Sequence, residues 1–178
     1  MDNKLKRSPG VYLTGFMGSG KTTVARVLAD RLGWDFIDLD AEIEATEETT
    51  IAQLFESRGE PEFRRIEKEA LKKVMRRVEC GMPSVVALGG GTFAELVNRG
   101  LLEDHGIVIW LDCSFETVER RIIEADSRPL ARDPDRFRRL YEERRAAYGL
   151  ADYRTDADRD EVFGGERASK NLAIADLA

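Results

Sequence analysis

Short apolar runs alternate with longer amphipathic stretches along this chain, a rhythm that predicts βαβ units around a parallel sheet. Strands are expected at residues 11–14, 36–38, 85–88, 107–111 and 153–156. Their cores are nearly all apolar, as suits strands covered by helices on both faces. Helical stretches lie between them at about 21–32, 50–56, 61–78, 94–103, 115–125 and 134–148. In the first, Val24, Val27, Leu28 and Leu32 recur at helical spacing and mark one buried face. Ser114 stands just ahead of the 115–125 stretch as its N-cap. A last short helix is expected from about Ala168. The polar stretches 127–135 and 157–167 read as loops, too short to separate two domains. The pattern therefore predicts one domain over residues 1–178, with a core at about 10–160.

Composition narrows the class. The chain has 178 residues, 42% hydrophobic and 35% charged, the balance of an ordered globular protein. No apolar run approaches the roughly 18 residues that span a bilayer. The basic, polar N-terminus lacks the apolar run and cleavage site of a secretory signal. These features predict a cytoplasmic protein without a membrane partner. A net charge of −6 counts against a nucleic-acid partner. It leaves anionic small ligands open, because a few local charges bind those. A monomer is expected. Cys80 and Cys113 have no metal-ligand spacing and are expected as buried or partly buried free thiols. His105, the only histidine, is expected at the surface or in a turn.

Candidate chemistry begins at Gly15-Phe16-Met17-Gly18-Ser19-Gly20-Lys21-Thr22, a complete G-x-x-x-x-G-K-[ST] motif between a predicted strand and a predicted helix. Its glycines let backbone N–H groups turn inward around phosphates, and the helix dipole adds positive potential. Gly18, Ser19, Gly20, Lys21, Thr22 and Thr23 are the candidate nucleotide contacts. Lys21 reaches toward the β- and γ-phosphates of ATP, and the Thr22 hydroxyl is a candidate Mg2+ ligand. The 85–88 strand ends in Gly89-Gly90-Gly91 and offers no carboxylate for the metal, whereas Phe36-Ile37-Asp38-Leu39-Asp40 offers two. Residues two apart in an extended segment share a side, so Asp38 and Asp40 are expected to face the crevice above the sheet's C-terminal edge. One of the two carboxylates can then order the magnesium shell, and the other can orient an attacking hydroxyl or accept its proton. The alternative is that Asp40 caps a helix starting at Ala41.

With these residues in place the chain resembles the shikimate kinase family, from about Val11 to Tyr153. Asp38-Leu39-Asp40 looks like its D-x-D, and Gly59-Glu60-Pro61-Glu62-Phe63-Arg64-Arg65-Ile66-Glu67 looks like its G-E-x-x-F-R-x-x-E segment. Gly89-Gly90-Gly91 is similar to its glycine triplet, and Arg128-Pro129-Leu130 to the R-P-L that begins its lid. The resemblance implies a three-layer α/β/α P-loop kinase fold around a parallel five-stranded sheet. It also implies a substrate-binding helical segment at about 41–80 and a small lid at about 127–135.

By the same resemblance the activity is ATP- and Mg2+-dependent phosphorylation of the 3-hydroxyl of shikimate. Asp38 serves the metal shell and Asp40 contacts the ring. Arg64 pairs with the substrate carboxylate, and the backbone of Gly89, Gly90 and Gly91 approaches a ring hydroxyl. Arg128 covers the nucleotide, and Arg159 contacts adenine from the 156–159 loop. Arg144 is the second carboxylate ligand by alignment on Tyr148. Ala146 and Ala147 stand where the family has Pro and Leu, so Arg145 remains a rival.

Each match also has its own chemistry. A guanidinium fork gives a carboxylate two parallel charge-assisted hydrogen bonds, and Glu67, one turn on, can orient it. The glycine triplet allows close backbone approach and positive φ angles. Lys21, Asp40 and Arg128 are thus the candidate catalytic residues. Two competing readings stay open: a kinase for another small acceptor such as gluconate or a nucleoside monophosphate, and a regulatory module that binds ATP without turning it over.

Overall fold

A computed structural model describes residues 10–124 and 133–158 of the chain. Five parallel strands form one sheet in the order β2-β3-β1-β4-β5. They are β1 (Gly10–Thr14), β2 (Asp35–Asp38), β3 (Ser84–Ala87), β4 (Ile107–Asp112) and β5 (Tyr153–Asp156). The connecting helices are α1 (Lys21–Leu32), α2 (Leu39–Glu47), α3 (Ile51–Glu79), α4 (Leu96–Leu102), α5 (Phe115–Glu124) and α6 (Pro134–Tyr148). Every residue of β1, β3 and β4 is buried, which explains their unbroken apolar character. The edge strand β5 is largely exposed and β2 is only partly buried, so their sequences carry a weaker signal.

From β1 the chain steps outward to β2, returns to β3, and then crosses β1 to β4 and β5. Parallel crossovers are right-handed, so the outward step puts α1 on one face and the return steps put their helices on the other. This is the three-layer arrangement expected. The order reverses beside β1, and the crevice at a switch point is where open α/β sheets bind ligands.

Helix boundaries follow local chemistry. Gly20 adopts φ 88° as the N-cap of α1, a left-handed conformation that favours glycine, and so turns the chain from loop to helix. Ser114 Oγ accepts from the Thr117 N–H (3.3 Å), the cap expected for α5. Thr50 and Gln53 form a reciprocal capping box at the start of α3. Gly59 (φ 77°, ψ 169°) breaks the helical path within α3, and Pro61 begins its second arm. The two helices expected at 50–56 and 61–78 are therefore arms of one bent element.

Helix α2 departs from the expectation of an extended segment through Asp40. The strand stops at Asp38, whose carboxylate accepts from the N–H groups of Asp40 (3.1 Å) and Ala41 (3.3 Å). Asp38, rather than Asp40, is thus the cap, and Asp40 lies in the first helical turn. Cys113 is buried as expected, and burial pushes its thiol up to about 12. Cys80 is exposed, because it stands at the C-cap of α3 where the chain turns through Gly81. His105 keeps its place beyond α4, with Nε2 3.0 Å from Glu79. The expected helix from Ala168, most of the 127–135 lid and the 159–167 part of the last loop lie outside the described residues.

Candidate active site

The C-terminal ends of three adjacent strands supply the site. Beyond β1 comes the glycine-rich loop, beyond β2 the Asp38 cap, and beyond β3 the glycine triplet. Together with the bent α3 and the end of α6 they enclose a cleft of about 730 Å3. That volume suits one small ligand beside a nucleotide's phosphates. Gly18, Gly20, Lys21, Thr22, Asp38, Asp40, Arg64, Gly89, Gly90, Gly91 and Arg144 all line it. Ser19, fully buried in the loop, and Thr23, exposed on α1, are not among the residues lining the cleft. Arg128 and Arg159 lie outside the described residues.

On the phosphate side, Lys21 Nζ donates to the carbonyls of Gly15 and Phe16, both at 2.9 Å, which holds the ammonium against the loop. Thr22 Oγ1 donates to Asp38 Oδ2 at 2.7 Å. A hydroxyl and a carboxylate thus meet beside the phosphate cradle, and such hard oxygen donors fit Mg2+. Among the described residues no cluster of three or more acidic, histidine or cysteine side chains could hold a metal alone.

On the acceptor side, each glycine of the triplet leaves room for a different side chain. A Cβ on Gly89 would sit 2.5 Å from Asp40 Oδ1, and one on Gly91 would sit 2.7 Å from Arg64 Nη1. A Cβ on Gly90 would lie 3.4 Å from Arg144 Nη1. None of the three has a positive φ, so the positive-φ part of the expectation does not hold. Gly89 and Gly91 are required by proximity alone, whereas a Cβ on Gly90 would make an ordinary contact.

Arg64 is held among carboxylates. Nη1 donates to Glu67 at 2.9 Å and Nη2 to Glu60 at 3.1 Å, while Glu95 stands 3.4 Å from Nε. Burial opposes its charge, but the three carboxylates outweigh burial and raise its pKa above the ordinary arginine value. Phe63 and Phe55 stack with centroids 4.4 Å apart and form an apolar wall. Tyr148, buried at the end of α6, donates its hydroxyl to the Gly90 carbonyl. Burial raises its pKa well above the usual phenol value, despite an opposing effect of Arg144.

Arg144 and Arg145 have different surroundings. Arg145 gives a bidentate pair to Asp112 (2.7 and 3.0 Å) and donates to the Tyr141 hydroxyl, on a face turned from the cleft. Arg144 lies over the Phe16 ring and lines the cleft. Sequence reasoning missed Arg121, which donates to the carbonyls of Gly18 (3.4 Å) and Ala157 (3.3 Å) and so ties α5 to the phosphate loop. No local signal marks it, because it looks like any arginine on a helix surface. The contacts of Thr92 with Glu67 and of Tyr148 with the Gly90 carbonyl, behind the lining of the cleft, carry no local signal either, because their partners are distant in sequence.

A P-loop after the central strand of this sheet, facing an arginine-lined acceptor cleft, defines a small-molecule P-loop kinase. Residues 17–169 match the family model described as shikimate kinase. A shikimate kinase of Sulfurihydrogenibium sp. (strain YO3AOP1) is 41% identical over 150 residues, covering 84% of this chain and 88% of its own. Among solved structures, shikimate kinase from Acinetobacter baumannii in complex with shikimate superposes with a TM-score of 0.82 at 33% identity, covering 97% of this chain and 94% of that one. Shikimate kinase from Bacteroides thetaiotaomicron superposes with a TM-score of 0.83 at 30% identity, covering 94% and 97%. The chain belongs to the shikimate kinase family.

Proposed function

We propose that this cleft transfers the γ-phosphoryl group of ATP to the 3-hydroxyl of shikimate, with its two sides serving the two substrates. When bound, Mg2+ would supply neutralisation of the negative charge on the transferring phosphoryl group. Thr22 and Asp38 would hold it, Thr22 directly and Asp38 through water. Lys21 gives up its contacts with the Gly15 and Phe16 carbonyls to reach the phosphates, whose N–H cradle comes from Gly18, Ser19, Gly20, Lys21, Thr22 and Thr23. Asp40 orients the acceptor hydroxyl and takes its proton. Arg64 and Arg144 receive the acceptor's carboxylate, and the backbone of Gly89, Gly90 and Gly91 lies against the ring.

Arg128 and the 127–135 lid are assigned to covering the nucleotide and excluding water, and Arg159 to adenine. The 41–80 segment is the acceptor-binding part of a single domain spanning 1–178. We place the enzyme in the cytoplasm as a monomer without a nucleic-acid partner, a reading supported by the acidic charge balance. Among the described residues no helix is long and apolar enough to cross a membrane.

The observation that carries this reading is the meeting of Asp40 and Arg64 around one glycine triplet, on the open side of a P-loop. A carboxylate base and an arginine fork lining one cleft suit a small hydroxylated acid. Coupled ADP release with a panel of acceptors is the test. Shikimate is expected to drive turnover far above gluconate and nucleoside monophosphates. Equal turnover with all of them, or none with any, would overturn the reading.

A further inference from the structure

The turn from Gly89 to Thr92 carries one more polar group than substrate binding has so far used. It closes with the Thr92 N–H donating to the Gly89 carbonyl at 3.1 Å, and Thr92 is fully buried. Its hydroxyl donates to Glu67 Oε1 at 2.7 Å. Glu67 comes from α3, is 1% exposed, and accepts from Arg64 Nη1 through its other oxygen at 2.9 Å. The carboxylate thus has one described donor on each oxygen, and a buried carboxylate left with an unsatisfied oxygen is destabilised.

Little slack remains around this chain of contacts. A Cβ on Gly89 would already lie 2.9 Å from Thr92 Oγ1 and 3.3 Å from Glu67 Oε1, and Gly91 abuts the guanidinium itself. Losing the Thr92 donor would leave Glu67 to find another partner by rotating, and Arg64 Nη1 would turn with it. The contacts with Glu60 and Glu95 would not hold the fork in place, since both side chains are substantially exposed.

We propose that Thr92 is a positioning residue for the acceptor: through Glu67 it fixes the plane of the Arg64 guanidinium. This rests on the reading that Arg64 receives the acceptor's carboxylate. One turn then sets both the spacing of the site, through its glycines, and the orientation of its anion fork, through its hydroxyl. Thr92 does not line the cleft, so ATP binding does not depend on it.

Steady-state kinetics of Thr92→Val, Thr92→Ala and Thr92→Ser test this, with Arg64→Lys measured in parallel and folding checked by thermal melting. Loss of the hydroxyl in Val or Ala is expected to raise the shikimate KM about tenfold, with kcat and the ATP KM nearly unchanged. Ser keeps the donor and is expected to restore the wild-type shikimate KM. An unchanged shikimate KM in Val and Ala beside a raised one in Arg64→Lys would overturn the role of Thr92 and leave the Arg64 reading intact. An impairment in Ser equal to that in Val and Ala would also overturn it, by assigning the effect to packing. An unchanged KM in Arg64→Lys would sink both readings. If Val does not fold, Ala and Ser still decide the matter.

Discussion

At the scale of single residues, the site depends on where atoms are absent as much as on where they are present. Arg64 reaches its seat because Gly91 has no side chain, and a Cβ there would come within 2.7 Å of Nη1 and 2.8 Å of Nη2. Gly91→Ala is therefore expected to displace the fork and raise the shikimate KM by about tenfold or more, leaving ATP affinity alone. Separate titrations of the two substrates check this, and an unaltered shikimate KM would contradict it. The triplet was visible in the sequence, but its meaning was only half legible. Glycines there suggested close approach and positive φ, and only the close approach is present. Arg144 and Arg145 illustrate a different limit. Neighbouring residues on a helix point about 100° apart, and two equal side chains leave nothing local to say which faces inward. What distinguishes them is Asp112, which lies far away in sequence and pairs with Arg145, while Arg144 lines the cleft.

At the scale of elements, β1 with its P-loop and helix α1 was readable because motif, strand and helix reinforce one another locally. Helix α2 was not. Only Leu39 and Ile43 are buried in it, too few to mark a helical period. Its start also depends on a carboxylate that would serve an extended segment equally well. Asp38 consequently makes two contacts, capping α2 and accepting from the Thr22 hydroxyl, and it is proposed to serve the metal as well. The cap and the proposed metal role can be separated. Asn is as good an N-cap as Asp but lacks the charge, so Asp38→Asn is expected to keep its melting temperature while needing more Mg2+ for half-maximal activity. Asp38→Ala loses the cap too, at a cost of about 1 kcal/mol, or roughly 2–4 °C in Tm. Melting curves and Mg2+ titrations of both variants check this. An Asn variant with wild-type Mg2+ dependence would remove Asp38 from the metal shell.

At the scale of the whole molecule, the strand order β2-β3-β1-β4-β5 brings together residues that are far apart in sequence. Lys21 follows β1, Asp40 follows β2, Arg64 sits on the bent α3, and the triplet follows β3. Apolar strands and amphipathic helices announced this architecture, since burial on both faces leaves a plain mark in sequence. Contacts such as Thr92 to Glu67 and Tyr148 to Gly90 stayed hidden, because each joins two ordinary residues through tertiary structure alone.

Asp40, which lines the same cleft as the P-loop, is proposed to act on the acceptor and not on the nucleotide. Shikimate-dependent ADP release by Asp40→Asn, measured beside its ATP affinity, tests that claim most directly. The account predicts a loss of turnover of about a thousandfold, with ATP binding nearly intact. Turnover at the wild-type rate, or a collapse of ATP affinity to match the lost activity, would contradict it.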